Sequence, residues 1–128
     1  MRAVIAALLT IGIGLLVHRG ALPLTPRTRD VLGDALWASM MVWWMGVVWP
    51  AKTPMVRGGL ALAVCVLVES SQLLHVSWLD AVRATSIGHL VLGSGFDARD
   101  LLAYTIGCGV AVAIDMRWLS RAEERSGT

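Results

Sequence analysis

The chain has 128 residues, 56% hydrophobic and only 16% charged, against ~25% charged in ordinary soluble domains, and its mean hydropathy is +0.68. A chain this short forms one domain, and a water-soluble domain could not hide so much apolar side chain. The net charge of +2 is spread over loops and tail without a basic stripe, so the sequence gives no footing for nucleic acid as a partner.

The apolar residues fall in runs that approach the length needed to cross a ~30 Å hydrocarbon core at 1.5 Å per helical residue. The first run, about 3–17, lies between Arg2 and His18-Arg19. A signal peptide would need small residues at a cleavage site, whereas Arg19 closely precedes Ala21, so the run reads as a retained, short anchor. Pro23, Pro26, Arg27 and Arg29 predict a loop. A second span is expected over about 31–49, with Asp30 as its cap and Pro50 and Pro54 closing it. The third is expected over about 56–74, opening on Arg57-Gly58-Gly59, and the fourth over about 101–119, ahead of a charged tail, 120–128.

Residues 75–100 are too polar and too glycine-punctuated to cross lipid, yet they carry Trp78, Leu79, Val82, Ile87 and Phe96. The roughly helical spacing of Trp78, Leu79, Val82 and Ile87 around Asp80 and Arg83 predicts a short amphipathic piece, interfacial or re-entrant, ended by Gly93 and Gly95. The fold class that follows is an all-α membrane protein, a four-helix transmembrane bundle with that segment between helices 3 and 4. Trp43, Trp44, Trp49 and Trp118 stand toward span ends, where amphipathic rings favour the membrane interface. Cys65 and Cys108 fall mid-span without metal-type spacing and read as buried packing. Four spans put both termini on one side, and the Arg and Lys distribution, with the amino terminus, favours the cytoplasm for both.

Ionisable groups inside spans are costly and each needs a reason. Alternate spans run in opposite directions, so Asp34, Glu69, Gln72, His75, Asp97, Arg99 and Asp100 share one membrane face with His18 and Arg19, whereas Asp115, close to Arg117, belongs to the other half. Glu69 and Gln72 are spaced for one face of span three, and Asp100, Tyr104 and Gly107 for one stripe of span four. Helix-dipole stabilisation would account for Asp34 and Asp100 near helix N-termini. Glu69, toward a C-terminal end, lacks that explanation and calls for a cation, a proton or a function. Arg83 and Arg99 are candidate partners for the carboxylates, in which case the cluster is a structural ion-pair network. Gln72 and the neighbouring serines fit inter-helix hydrogen bonding equally well. The histidines lack the spacing of helix-borne metal ligands, so no metal or cofactor is expected.

Gly33-Asp34-Ala35-Leu36-Trp37, Glu69-Ser70-Ser71-Gln72-Leu73, Trp78-Leu79-Asp80 with Arg83, Leu92-Gly93 with Phe96, and Asp100-Leu101 with Tyr104 and Gly107 resemble a family of small bacterial membrane proteins of unknown function. The Glu69 and Gln72 pair, with Asp100, Tyr104 and Gly107, is also similar to the signature of the wider VanZ-like group, whose namesake is linked to resistance to the glycopeptide teicoplanin. The sequence departs from that group at Tyr104, where an asparagine is usual, and in a longer stretch between Gln72 and Asp100. The resemblance implies a cell-membrane, multi-pass protein of the cell envelope.

The expected site is a binding pocket built on Asp34, Glu69, Gln72, Arg83, Asp100 and Tyr104 for a polar or cationic envelope molecule. The expected partners are membrane lipid and that ligand, with a membrane protein partner or a homo-oligomer as further candidates. A transporter or channel component is the second reading, since carboxylates in a bundle also mark ion paths. A structural or accessory subunit is the third. Glu69 and Asp100 could act as an acid and base, but no nucleophile stands beside a base, and the question of catalysis stays open at this stage.

Overall fold

The computed structural model of the chain describes residues 1–93 and 95–126, and the regular structure among them is helical. In chain order it comprises α1 (Arg2–His18), α2 (Pro26–Val48), α3 (Pro54–Ser71), α4 (Ser77–Arg83), α5 (Ser86–Leu92) and α6 (Ala98–Ser126). Among the described residues three helices are long and apolar enough to cross a membrane: α2, α3 and the Ala98–Trp118 part of α6. The fourth expected span, α1, is apolar but has only 17 residues.

Both α2 and α3 begin by the same device. Thr25 and Thr53 stand in extended conformation, each accepting a bond from a backbone N–H, of Thr28 at 3.2 Å and of Val56 at 3.4 Å, and each is followed by a proline. Proline at the first helical position loses no helical hydrogen bond and brings its φ already set. Pro26 and Pro54 therefore open helices, where the sequence reading placed them in loops. Asp30 lies inside α2 instead of capping it. At the other end of the chain α6 runs on to Ser126, so the expected charged tail continues the helix; Gly127 and Thr128 lie outside the described residues.

The helices meet through small residues. Ala7, Ala38, Ala61 and Ala111 are buried with Cys65, Cys108 and Val42. A Cβ on Gly107 would run into the Ala35 carbonyl, and one on Gly58 into the Val112 side chain, so α2 and α3 both approach α6 more closely than larger residues permit. The outer faces stay apolar: Leu67 and Leu102 are 69% and 65% exposed, as suits side chains whose solvent is lipid. The total accessible surface, 8404 Å², exceeds the roughly 6,600 Å² of a compact soluble protein of this mass.

Trp43 is 5% exposed and stacks on Trp118 with ring centroids 5.6 Å apart. Its indole N–H donates to Thr10 Oγ1 at 3.2 Å, which ties α1 to α2. With that donor satisfied the ring can be buried, so Trp43 belongs to the core and not to the interfacial belt the sequence predicted.

The segment between α3 and α6 holds two short helices in place of one amphipathic piece. Thr85, at the break, accepts from Gly88 N–H at 3.0 Å and caps α5. Gly93, at φ +65°, ends α5 in a conformation that favours glycine. Trp78 and Ile87 point outward, 70% and 76% exposed. α5 packs on α4 and touches the end of α3.

Candidate functional site

Polar groups gather where α3 ends and α2 and α6 begin. Glu69, in the last turn of α3, is 0% exposed. Its Oε1 accepts from the backbone N–H of Asp97 at 2.8 Å, and its Oε2 accepts from Gln72 Nε2 and from the Tyr104 hydroxyl, both at 3.1 Å. A carboxylate buried at the C-terminal end of a helix is doubly disfavoured, by desolvation and by the dipole. Three neutral donors surround the group for which the sequence called for a cation, a proton or a function. Asp97 also caps α6, its Oδ1 accepting from Arg99 N–H at 2.9 Å. Glu69 thus fastens the start of α6 to the end of α3 and fixes the directions of Gln72 and Tyr104.

Asp34 lies more than two turns inside α2, beyond the first turn where the helix dipole favours an anion. Asp100 stands in the first turn of α6 and keeps that benefit. The carboxyl groups of Asp34 and Asp100 are neighbours, and Glu69 is an acidic neighbour of both. The geometry therefore brings together acids from three helices, along with Gln72 and Tyr104.

Arg83 is placed elsewhere. Its guanidinium, 8% exposed with its residue, donates to the carbonyl oxygens of Leu74 at 2.9 Å and Ser71 at 2.5 Å, and to Asp80 Oδ1 at 3.2 Å. It satisfies carbonyls at the frayed end of α3 and joins α4 to α3, without joining the acid cluster. The ion pairs Arg57–Asp115, His75–Asp80 and Arg83–Asp80 include none of Asp34, Glu69 and Asp100. Asp115 pairs with Arg57 of α3 at 2.7 Å, at the opposite end of the bundle.

A cavity of about 520 Å³ opens beside the acids. Asp34, Asp100, Gln72, Tyr104 and Trp37 line its polar wall, and Glu69 lies behind Gln72 and Tyr104. Ile11 and Leu15 of α1, Leu36 and Met40 of α2 and Leu92 of α5 supply apolar wall, while His18, Arg29, Asp30, His89 and Asp97 complete the lining. Arg29 and Asp30 were missed as site residues. Once α2 begins at Pro26, Asp30 joins the stripe of Asp34 and Trp37, a signal hidden by placing the helix start too late. Among the described residues no group of three or more His, Cys, Asp or Glu is arranged to hold a metal ion.

These features define a protein whose described residues are all-helical, with three helices long and apolar enough to cross a membrane. The chain belongs to the family described as "Protein of unknown function (DUF2809)", whose model matches residues 24–108, a range that contains Asp34, Glu69, Gln72, Arg83, Asp100 and Tyr104. No solved structure matches the chain.

Proposed function

We propose that the chain is a four-span bacterial membrane protein, related to the VanZ-like group, that holds a polar or cationic part of an envelope molecule in the cavity between α1, α2, α5 and α6. In this reading α1 is the fourth span. Its 17 residues cover roughly 25 Å, a shortfall that local bilayer thinning and snorkelling of Arg2 and Arg19 accommodate. Both termini are cytoplasmic, the cavity opens toward the extracytoplasmic face, and α4 and α5 lie at that interface. Gln72, Tyr104, Asp34 and Asp100 contact the ligand, Glu69 positions Gln72 and Tyr104, and Arg83 holds α4 in place.

One observation carries the reading: Asp34 and Asp100 meet on the wall of a cavity, and no cation among the described residues pairs with either. Acids gathered without a partner cost the protein stability, and a cationic ligand relieves that cost. A purely structural role would favour the arrangement found at Arg57 and Asp115. A transport path would need polar groups across the bilayer, whereas the acid cluster occupies one end of the bundle and the charged groups at the opposite end, Arg57 and Asp115, are paired with each other. The test is complementation: cells lacking the chain are scored for susceptibility to envelope-acting antibiotics and rescued with Asp34→Asn. Failure to rescue at wild-type abundance in the membrane supports the reading, and full rescue contradicts it.

A further inference from the structure

The cavity has a polarity that runs along α2. Asp34 and Asp100 form its inner part, and Arg29, also on the wall, lies five residues before Asp34, roughly 7.5 Å nearer the start of the helix. Two orphaned groups follow the same order. Gln72, 6% exposed and beside the acids, has a buried Oε1 with no donor, and Arg29 has a buried Nε with no acceptor among the described residues. Acceptors alone stand at the inner end, and the cationic donor Arg29, with Asp30 next to it in sequence, stands at the outer end. The complementary ligand carries positive charge at its inner end and negative charge at its outer end.

We propose that the cavity binds a short zwitterion, with a primary ammonium against Asp34, Asp100 and Gln72 and a phosphate or carboxylate against Arg29. The inference rests on the reading of the cavity as a binding site. An ammonium offers three donors to the two carboxyls and the amide oxygen, and a guanidinium suits an oxyanion at the rim. The walls bear on where such a molecule comes from. α1 and α5 both line the cavity, and among the described residues they do not pack against each other, so no helix contact closes the wall between them. An aminophospholipid headgroup can enter there, and a free zwitterion can enter from the water.

Full-length protein in detergent is titrated calorimetrically with phosphoethanolamine, ethanolamine and inorganic phosphate. In parallel, protein in discs of phosphatidylglycerol doped with phosphatidylethanolamine is read by native mass spectrometry for retained lipid. The phosphoethanolamine unit, free or lipid-borne, is expected to bind about tenfold more tightly than either half or than phosphatidylglycerol, because both ends engage at once. Asp34→Asn lowers that affinity about tenfold or more. Arg29→Gln removes the preference over ethanolamine while leaving ethanolamine binding unchanged, and Arg29→Lys retains it. Binding in discs alone assigns the source to lipid, and binding of the free compound admits a soluble molecule. Absence of binding in both formats, or a preference that survives Arg29→Gln, overturns the proposal. If Asp34→Asn folds normally and no zwitterion binds, this inference fails while the cavity reading stands; if Asp34→Asn unfolds the chain, the cavity reading itself fails.

Discussion

The two ends of the α3–α6 pair hold buried charge in opposite ways. At one end Arg57 and Asp115, with side chains 10% and 15% exposed, meet at 2.7 Å, and the guanidinium also donates to the Pro50 carbonyl at 2.5 Å. At the other, Glu69 is enclosed by neutral donors, and Asp34 and Asp100 face a cavity without a paired cation among the described residues. The chain can match a buried acid with an arginine where helices must be held together. Where it gathers three acids without one, cohesion is a poor account of their presence.

The comparison breaks first at the paired end. Arg57→Met leaves Asp115 uncompensated and is expected to cost about 3–5 kcal/mol in thermal or denaturant unfolding, whereas Arg57→Met with Asp115→Leu recovers most of it. A single variant as stable as the parent would show that this pair holds nothing. At the acid end the largest loss comes from Glu69→Ala, which strips the acceptor from three donors and opens a void, at about 2–4 kcal/mol. Glu69→Gln keeps one acceptor oxygen and costs about 1 kcal/mol; an equal loss for Gln and Ala would mean that the charge itself is indispensable. Between the ends, Gly107→Ala drives a methyl group into the Ala35 carbonyl, at about 1–3 kcal/mol. Gly109→Ala meets nothing within 4 Å and is neutral or slightly stabilising in the same melts.

How much of this was legible in the sequence depends on what carried the signal. Hydropathy marks α2, α3 and α6 because lipid-facing residues need no partner to declare themselves. The helix starts were misplaced because Pro26 and Pro54 break a helix in its interior but open one after a threonine cap. Glu69, Gln72 and Tyr104 converge as their helical spacing predicts. Glu69's third partner is the backbone N–H of Asp97, a donor that every residue but proline carries and that therefore leaves no trace in side-chain identity. Arg83 misled for a related reason: its partners are chiefly carbonyls of Ser71 and Leu74, which no charge pattern reveals. The depth of Asp34 within α2, which removes the dipole explanation, depended on the corrected start at Pro26.

The central claim is that the cavity acids serve a ligand and the opposite pair serves the fold, and one paired measurement bears on it most directly. Asp34→Asn, Asp100→Asn and Asp115→Asn are prepared side by side in the same detergent, and their unfolding temperatures are compared with the parent's. The account predicts that Asp34→Asn and Asp100→Asn melt at or above the parent temperature, since each removes an acid without a paired cation, a gain that for Asp100 outweighs the lost helix-dipole benefit, while Asp115→Asn melts well below it because Arg57 loses its partner. A fall in Asp34→Asn and Asp100→Asn as large as that in Asp115→Asn would contradict the account and make the acid cluster part of the scaffold.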